Sequence, residues 1–275
     1  MNIVNTSGID QELEKRISSF LRSKEIINSG MNLPLSVFHI PNEIEDFNFS
    51  RKRKSSFMSI GTFLSRKHEI IPFAKEAMEI GYPNYAHDWE KFKLDINQID
   101  ARKLEEAIKH FVHSLFINPD KINDDKNLYI LFNLIQLWGG VEGRHAFKGS
   151  GINISSYRSY LNAWVNWDGD IDHMVAKTIR LCNSNKDFNI SFATKHSKFF
   201  GDVYASLHGK YEFQVGIFDK LINNKLFCRN MSPNSANDSD IERLKSYWHT
   251  LREIYVQFGK EPRVVERHLF NLEDA

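Results

Sequence analysis

The spacing of apolar residues constrains this chain more than any other sequence feature, because over most of its length they recur three and four residues apart. The strongest case runs from Asn127 to Trp138, where most of the residues in between are Leu, Ile or Phe. An apolar run of this length exceeds an ordinary strand and predicts a buried, central helix. Gly139-Gly140 then ends the helix, since glycine is the usual residue just past a helix C-terminus.

The same spacing predicts helices along most of the chain. Asp100 is predicted to cap one of them. Strict alternation, which is typical of a strand, occurs once, from Tyr211 to Ile217. The fold is therefore predicted to be mainly α, with few short strands. The other predicted helices cover residues 9–21, 63–80, 101–117, 157–167, 171–181, 191–200, 241–258 and 262–270.

Composition places few limits on the partner. The 275 residues include 36 basic and 35 acidic side chains, a net charge of +1, so the overall charge does not argue for nucleic acid by itself. A neutral total can still include a basic face, because binding responds to local charge. The one dense charge run, Arg51-Lys52-Arg53-Lys54, would suit a phosphate backbone. A solvated loop is the commoner structure for such a run.

Acidic residues between two predicted helices imitate the start of a calcium loop. Asp168, Asp170 and Asp172 have the right spacing, but His173 stands where that loop needs glycine and Ile179 where it needs glutamate. These acids are predicted to lie at the N-terminus of the following helix instead.

The two cysteines, Cys182 and Cys228, form no CxxC pair and have no Cys or His cluster of metal-ligand spacing around them. This argues against a zinc site and against a disulfide scaffold, and we predict neither a metal nor another cofactor. No apolar run approaches the roughly 20 residues that span a bilayer. The first residues also lack the pattern of a signal peptide. We therefore expect a cytoplasmic protein without a membrane partner.

Lys195 and Asp219 are the side chains best suited to chemistry. The lysine lies near the start of a short apolar helix, and the aspartate follows a hydrophobic run and opens the next helix. An amine can attack the anomeric carbon of a deoxyribose while a carboxylate stabilises an oxocarbenium-like transition state. The structural alternatives are a solvated lysine on an amphipathic helix and an aspartate that caps a helix.

Four short motifs, in order, resemble bacterial proteins similar to 8-oxoguanine DNA glycosylase, members of the helix-hairpin-helix DNA glycosylase superfamily. The resemblance extends from Leu137 to the C-terminus, whereas the first 130 residues show no motif of the family. The motifs are Leu137–Arg144 with its Trp138-Gly139-Gly140, Ala193-Thr194-Lys195 followed by Phe199-Phe200, Ile217-Phe218-Asp219, and Val265–Phe270.

The resemblance implies two helical subdomains with the active site in the cleft between them. Residues 1–275 would form one glycosylase-like domain, with an N-terminal helical part over 1–126 and a catalytic part over 127–275. The protein would act as a monomer on double-stranded DNA, extrude a damaged or modified base and release it, with a Schiff base that can also nick the strand. The implied roles are Lys195 as nucleophile, Asp219 as the carboxylate that positions it, Trp138 and Phe192 as stacking surfaces, and Ser191, Lys198, Arg144, Gly139 and Gly140 as nucleic-acid contacts.

The sequence departs from the family at the hairpin. Phe188-Asn189-Ile190-Ser191 contains no glycine where the family has a Gly-x-Gly that grips a phosphate. Ser191 is predicted to cap the helix in its place, so that the helix N-terminus can still hold an anion. Lys198 is a second candidate for the amine. Two alternatives follow: a non-catalytic nucleic-acid-binding or sensor protein of the same fold, and an unrelated helical interaction module.

Overall fold

Nine α-helices make up most of the computed structural model, which describes residues 11–23, 29–40, 101–138, 152–185 and 188–272. Three short 3-10 helices, Leu35–Phe38, Pro119–Asn123 and Tyr211–Phe213, lie between them. The α-helices are α1 (Gln11–Leu21), α2 (Ala101–Ile117), α3 (Asp125–Trp138), α4 (Ile154–Val165), α5 (Ile171–Asn183), α6 (Ile190–His208), α7 (Lys220–Phe227), α8 (Asp238–Phe258) and α9 (Pro262–Asn271).

The prediction of a mainly α fold is confirmed. The predicted strand from Tyr211 to Ile217 is wrong, because these residues form a 3-10 turn followed by a buried extended segment. Gln214, Val215 and Ile217 are all buried, so the alternation does not separate a core face from a solvent face. The described ranges contain no strand. The predicted helix over 63–80, the Arg51–Lys54 run and the Asp100 cap lie outside them.

Short polar side chains cap the N-termini of α4 to α8. Asp170 caps α5 by accepting the His173 amide at 3.1 Å, so the acidic stretch does lie at the N-terminus of this helix, as predicted. Asn153, Asn189 and Asn237 cap α4, α6 and α8 in the same way. Each cap satisfies an amide that the helix itself leaves without a partner.

Helix α6 is the central element and packs against α2, α3, α4 and α5. Thirteen of its nineteen residues are buried, which is why its sequence shows no polar stripe. Gly201 allows the Phe213 backbone to lie close to α6, since a Cβ at position 201 would be 3.1 Å from the Phe213 carbonyl oxygen. Helix α3 was predicted to be the central one. Six of the side chains described in α3 are indeed buried, but the helix that the others surround is α6.

The two ends of the described chain pack together. Phe20 of α1 and Phe38 lie with their ring centroids 5.6 and 4.9 Å from that of Phe258, at the end of α8. Lys260 donates to the Ile40 carbonyl oxygen at 2.6 Å, and His268 of α9 bonds Ser36 at 2.8 Å. The N-terminal segment thereby holds the last two helices in place. None of the described helices is both long and apolar enough to cross a membrane.

Candidate active site

The segments that carry Lys195 and Asp219 lie side by side. The Thr194 hydroxyl, in α6, accepts the Phe218 amide at 3.0 Å and donates to the Ile190 carbonyl oxygen at 2.9 Å. Thr194 and Phe218 are both fully buried. The hydrogen bond therefore joins the residue before Lys195 to the residue before Asp219, across 24 positions of sequence.

Lys195 is half-buried beside an aromatic ring. Its ammonium lies 5.0 Å from the centroid of Phe192, three residues earlier on α6. The Phe192 ring is also half-buried and stacks on Phe188, with centroids 6.1 Å apart and an interplanar angle of 27°. Residues three apart share one face of a helix, so the first turns of α6 present an amine and a ring together.

Asp219 is the N-cap of α7. Its Oδ1 accepts the Ile222 amide at 3.0 Å, which confirms the capping interpretation. The side chain is half-buried, and a cap that engages one carboxylate oxygen is compatible with chemistry at the same group.

The backbone before Asp219 is fixed by buried side chains. The Gly216 carbonyl oxygen accepts the Trp248 indole N–H at 2.8 Å, and the Ile217 amide donates to Glu266 Oε1 at 2.5 Å. Gly216 also lies directly beneath Tyr247, so that a Cβ there would be 2.3 Å from the phenol oxygen. Only glycine fits this contact without displacing the tyrosine.

Lys198 is buried, with 5% of its surface exposed, and it belongs to a cluster of five charges contributed by α2, α6 and α9. We call Glu105, Lys109, Lys198, Asp202 and Arg263 the charge cluster. Each of its three cations contacts both carboxylates. The distances to Glu105 Oε1 and to Asp202 Oδ2 are 3.2 and 3.2 Å from Lys198, 3.1 and 3.4 Å from Lys109, and 2.6 and 3.6 Å from Arg263.

The charge cluster keeps its acids ionised in spite of burial. Burial raises the pKa of Glu105, but Lys198, Lys109 and Arg263 outweigh it and hold that pKa well below its ordinary value. Burial also raises the pKa of Asp202, but the same three cations outweigh it and leave that pKa lowered. The pKa of Lys109 is also lowered, by burial first and then by repulsion from Lys198. Removing one cation would therefore affect both carboxylates.

Glu266 lies near the charge cluster and differs from its acids. Burial raises the pKa of Glu266 to about 7, and the attraction of Lys198 and the amide of Ile217 only partly offset the effect. The pKa of the neighbouring Tyr247 phenol is raised well above its usual range, by burial and then by the charges of Glu266 and Asp219. The charges of Glu266 and Asp219 therefore both raise the pKa of the Tyr247 phenol.

The residues that follow Lys195 along α6 are tied to α4. His196 Nδ1 bonds the Tyr157 hydroxyl at 2.8 Å, and Ser197 Oγ bonds the Tyr160 hydroxyl at 2.5 Å. Burial, and then the charge of Lys195, hold the pKa of His196 well below its ordinary value. This imidazole is therefore neutral, shares a hydrogen bond with the Tyr157 hydroxyl, and belongs to the core.

Several sequence-predicted binding residues lie in the core or outside the described ranges. Lys198 binds two carboxylates and has no surface to offer a phosphate. Trp138 is 1% exposed and packs edge-on against Phe199, with centroids 4.8 Å apart, so its ring is covered by the core. Ser191 is half-buried in the first turn of α6, where Asn189 caps the helix in its place by accepting the Phe192 amide at 3.2 Å. Arg144, Gly139 and Gly140 lie outside the described residues.

Sequence reasoning missed most of the charge cluster and the role of Glu266. The sequence contains a partial indication of the charge cluster. Glu105 and Lys109 are opposite charges four residues apart, and so are Lys198 and Asp202. Such pairs usually lie on solvated helix faces, and the apolar residues around Lys198 were the sign that this pair is buried. The partners on α9 follow only from the tertiary fold.

Within the described ranges, no three His, Cys, Asp or Glu side chains form a group that could hold a metal ion. In comparisons with known proteins, no family model, no curated protein and no solved structure matches this chain.

Proposed function

We propose that this protein is a DNA base glycosylase in which Lys195 is the nucleophile and Asp219 the assisting carboxylate. The observation that carries the proposal is the hydrogen bond from the Phe218 amide to Thr194, which brings together two motifs of the resemblance. The half-buried Phe192 ring beside the Lys195 amine supports it further, because an extruded base needs an aromatic surface next to the reacting group.

The reaction follows from these positions. The neutral amine of Lys195 attacks C1′ of the extruded nucleotide, the glycosidic bond breaks, and the base leaves with its electron pair. The amine loses two protons, one to the departing base and one to the ring oxygen as the sugar opens to an imine. Asp219 accepts a proton from the Lys195 ammonium before attack and so supplies the neutral amine.

Replacing Lys195 with glutamine is expected to abolish covalent trapping, because an amide nitrogen cannot form an imine. The measurement is borohydride trapping on duplexes that contain 8-oxoguanine, uracil, abasic sites or phage-type modified bases. Lys210→Gln is the matched control, since Lys210 also lies over a phenylalanine ring, 5.3 Å from Phe213, but is exposed. An adduct that persists in Lys195→Gln would contradict the assignment, as would the absence of adduct and released base with every substrate.

Asp219→Asn is expected to slow base release about 10²–10⁴-fold, the usual contribution of a positioned acid or base. Asparagine caps a helix as well as aspartate does, so the stability of α7 should change by only a few tenths of a kcal/mol. Asp219→Ala, in contrast, should cost about 1 kcal/mol through loss of the cap. Single-turnover base release and urea denaturation measure the two effects. Full activity in Asp219→Asn would leave Asp219 with the capping role alone.

The second candidate is a non-catalytic protein that binds a modified or deformed nucleic acid. The observation in its favour is the first turn of α6, where the Asn189 side chain occupies the Phe192 amide. That amide is then not available to a phosphate, and the hairpin has no glycine to supply another. Tight, salt-sensitive binding without adduct or released base would support this function over the first.

A further inference from the structure

The segment from Gly216 to Asp219 reaches α7 as extended backbone held by side chains from three helices. Trp248 of α8 binds the Gly216 carbonyl oxygen, Glu266 of α9 binds the Ile217 amide, and Thr194 of α6 binds the Phe218 amide. Each contact lies in the core, where water does not replace a lost partner. The position of Asp219 is therefore set by these three residues.

Glu266 is the only one of the three that carries an ionisable group. Its side chain is 3% exposed, and its Oε1 accepts the Ile217 amide at 2.5 Å, across 49 positions of sequence. Hydrogen bonds to an ionised acceptor are roughly twice as strong as those between neutral groups. The strength of the hydrogen bond from the Ile217 amide consequently depends on whether the Glu266 carboxyl group is ionised.

Charged and titratable groups from the surrounding helices act on Glu266. Lys198 of α6 and Arg263 of α9 attract a negative charge there, and Asp202 of α6 repels it. Tyr247 of α8 responds to the charges of both Glu266 and Asp219. Arg267, the next residue on α9, also lies within the influence of Glu266.

We propose that Glu266 is a positioning residue for Asp219: its carboxylate fixes the Ile217 amide and, through the two following peptide units, the place of the Asp219 side chain. This inference rests on the proposed function. A misplacement of about 1 Å in a reacting group costs about 100-fold in rate, so a residue that never touches substrate can still govern turnover.

Two substitutions separate positioning from mere core stability. Glu266→Gln keeps an acceptor oxygen for Ile217, whereas Glu266→Ala removes it. We expect about 100-fold slower single-turnover base release in Glu266→Ala with KM unchanged, and most of the rate restored in Glu266→Gln. The restored rate should no longer vary with pH around 7, where the wild-type carboxyl titrates.

An NMR titration tests the contact without any substrate. In the wild-type protein the Ile217 amide resonance should shift with a midpoint near pH 7, and in Glu266→Gln that transition should be absent. The Asp219 side-chain carboxyl resonance should move in Glu266→Ala. Asp240→Asn is the matched control, because Asp240 is also buried and its Oδ2 accepts a loop amide, that of Asn234, at 3.0 Å.

The outcomes are distinct. An Ile217 resonance that ignores both pH and Glu266→Gln would overturn the inference whatever the activity, as would normal turnover in a folded Glu266→Ala variant. If the amide titrates as expected and Glu266→Ala moves the Asp219 resonance, the placement of Asp219 by Glu266 is upheld. If the wild-type protein then acts on no duplex, it is the proposed function that fails.

Discussion

Replacing Lys198 with methionine is expected to lower the free energy of unfolding by about 3 kcal/mol. The substitution leaves two carboxylates with only Lys109 and Arg263, and breaking a buried ion pair by removing one partner costs about 3–5 kcal/mol. The lower figure applies because two cations remain in contact with Glu105 and Asp202. Methionine is similar to lysine in length and lacks the charge, so the loss of stability measures the contribution of the ammonium, including its contacts over the Trp138 and Phe199 rings at 5.1 and 4.5 Å.

Lys195→Met is the matched control on the same helix. Lys195 is half-buried and its cation–π contact with Phe192 is worth about 0.5–1 kcal/mol, so the variant should be nearly as stable as the wild type. Urea denaturation at pH 7 compares the two. We expect Lys198→Met to lose stability and Lys195→Met to lose trapping. Equal stability of Lys198→Met and the wild type would show that the charge cluster adds no net stability.

Glu266 is expected to make the protein less stable as the pH rises from about 4.5 to about 7. Its pKa is raised to about 7 in the folded protein, against an ordinary 4.5. Stability from this group is therefore fully present below pH 4.5 and is lost as the pH rises through 7. At about 1.4 kcal/mol per unit of pKa difference, the loss amounts to about 3 kcal/mol by pH 8. The lowered pKa of Asp202 acts in the opposite sense and only in acid.

Glu266→Gln removes this titration and isolates it from the other groups. The variant should match the wild type near pH 4 and exceed it by about 3 kcal/mol at pH 8. Chemical denaturation at intervals between these values gives both curves. Glu242→Gln, at an exposed carboxylate on α8, should leave the wild-type pH dependence unchanged. A Glu266→Gln curve that runs parallel to the wild-type curve would contradict the prediction.

The helices could be predicted from sequence wherever one face is apolar and the other polar. Helices α8 and α9 begin and end within a few residues of their predicted limits. The strand predicted from Tyr211 failed because alternation implies a strand only if one face is solvated, and here Gln214 is buried as well as Val215. Periodicity cannot distinguish a buried extended segment among helices from a strand in a sheet.

The candidate site was only partly accessible to sequence reasoning. Lys195 and Asp219 could be proposed from sequence because each was predicted near the start of a helix, within a recognisable motif. The burial of Lys198 could not be predicted from its own helix alone, since its partner Glu105 lies 93 positions away. The hydrogen bond between Glu266 and the Ile217 amide could not be predicted for the same reason. A side-chain hydrogen bond to an amide far away in sequence leaves no periodic pattern around either residue.

The packing of Phe20 and Phe38 against Phe258 has a mechanical consequence. The two ends of the described chain meet at these rings, so a pulling force applied to the termini would load this contact and the Lys260–Ile40 hydrogen bond first. Helix α6, enclosed by α2, α3, α4 and α5, would carry no tension until these ring contacts and this hydrogen bond had broken. Domains fused to either end would accordingly load the contacts of Phe20 and Phe38 with Phe258. The helix that carries Lys195 would not be loaded.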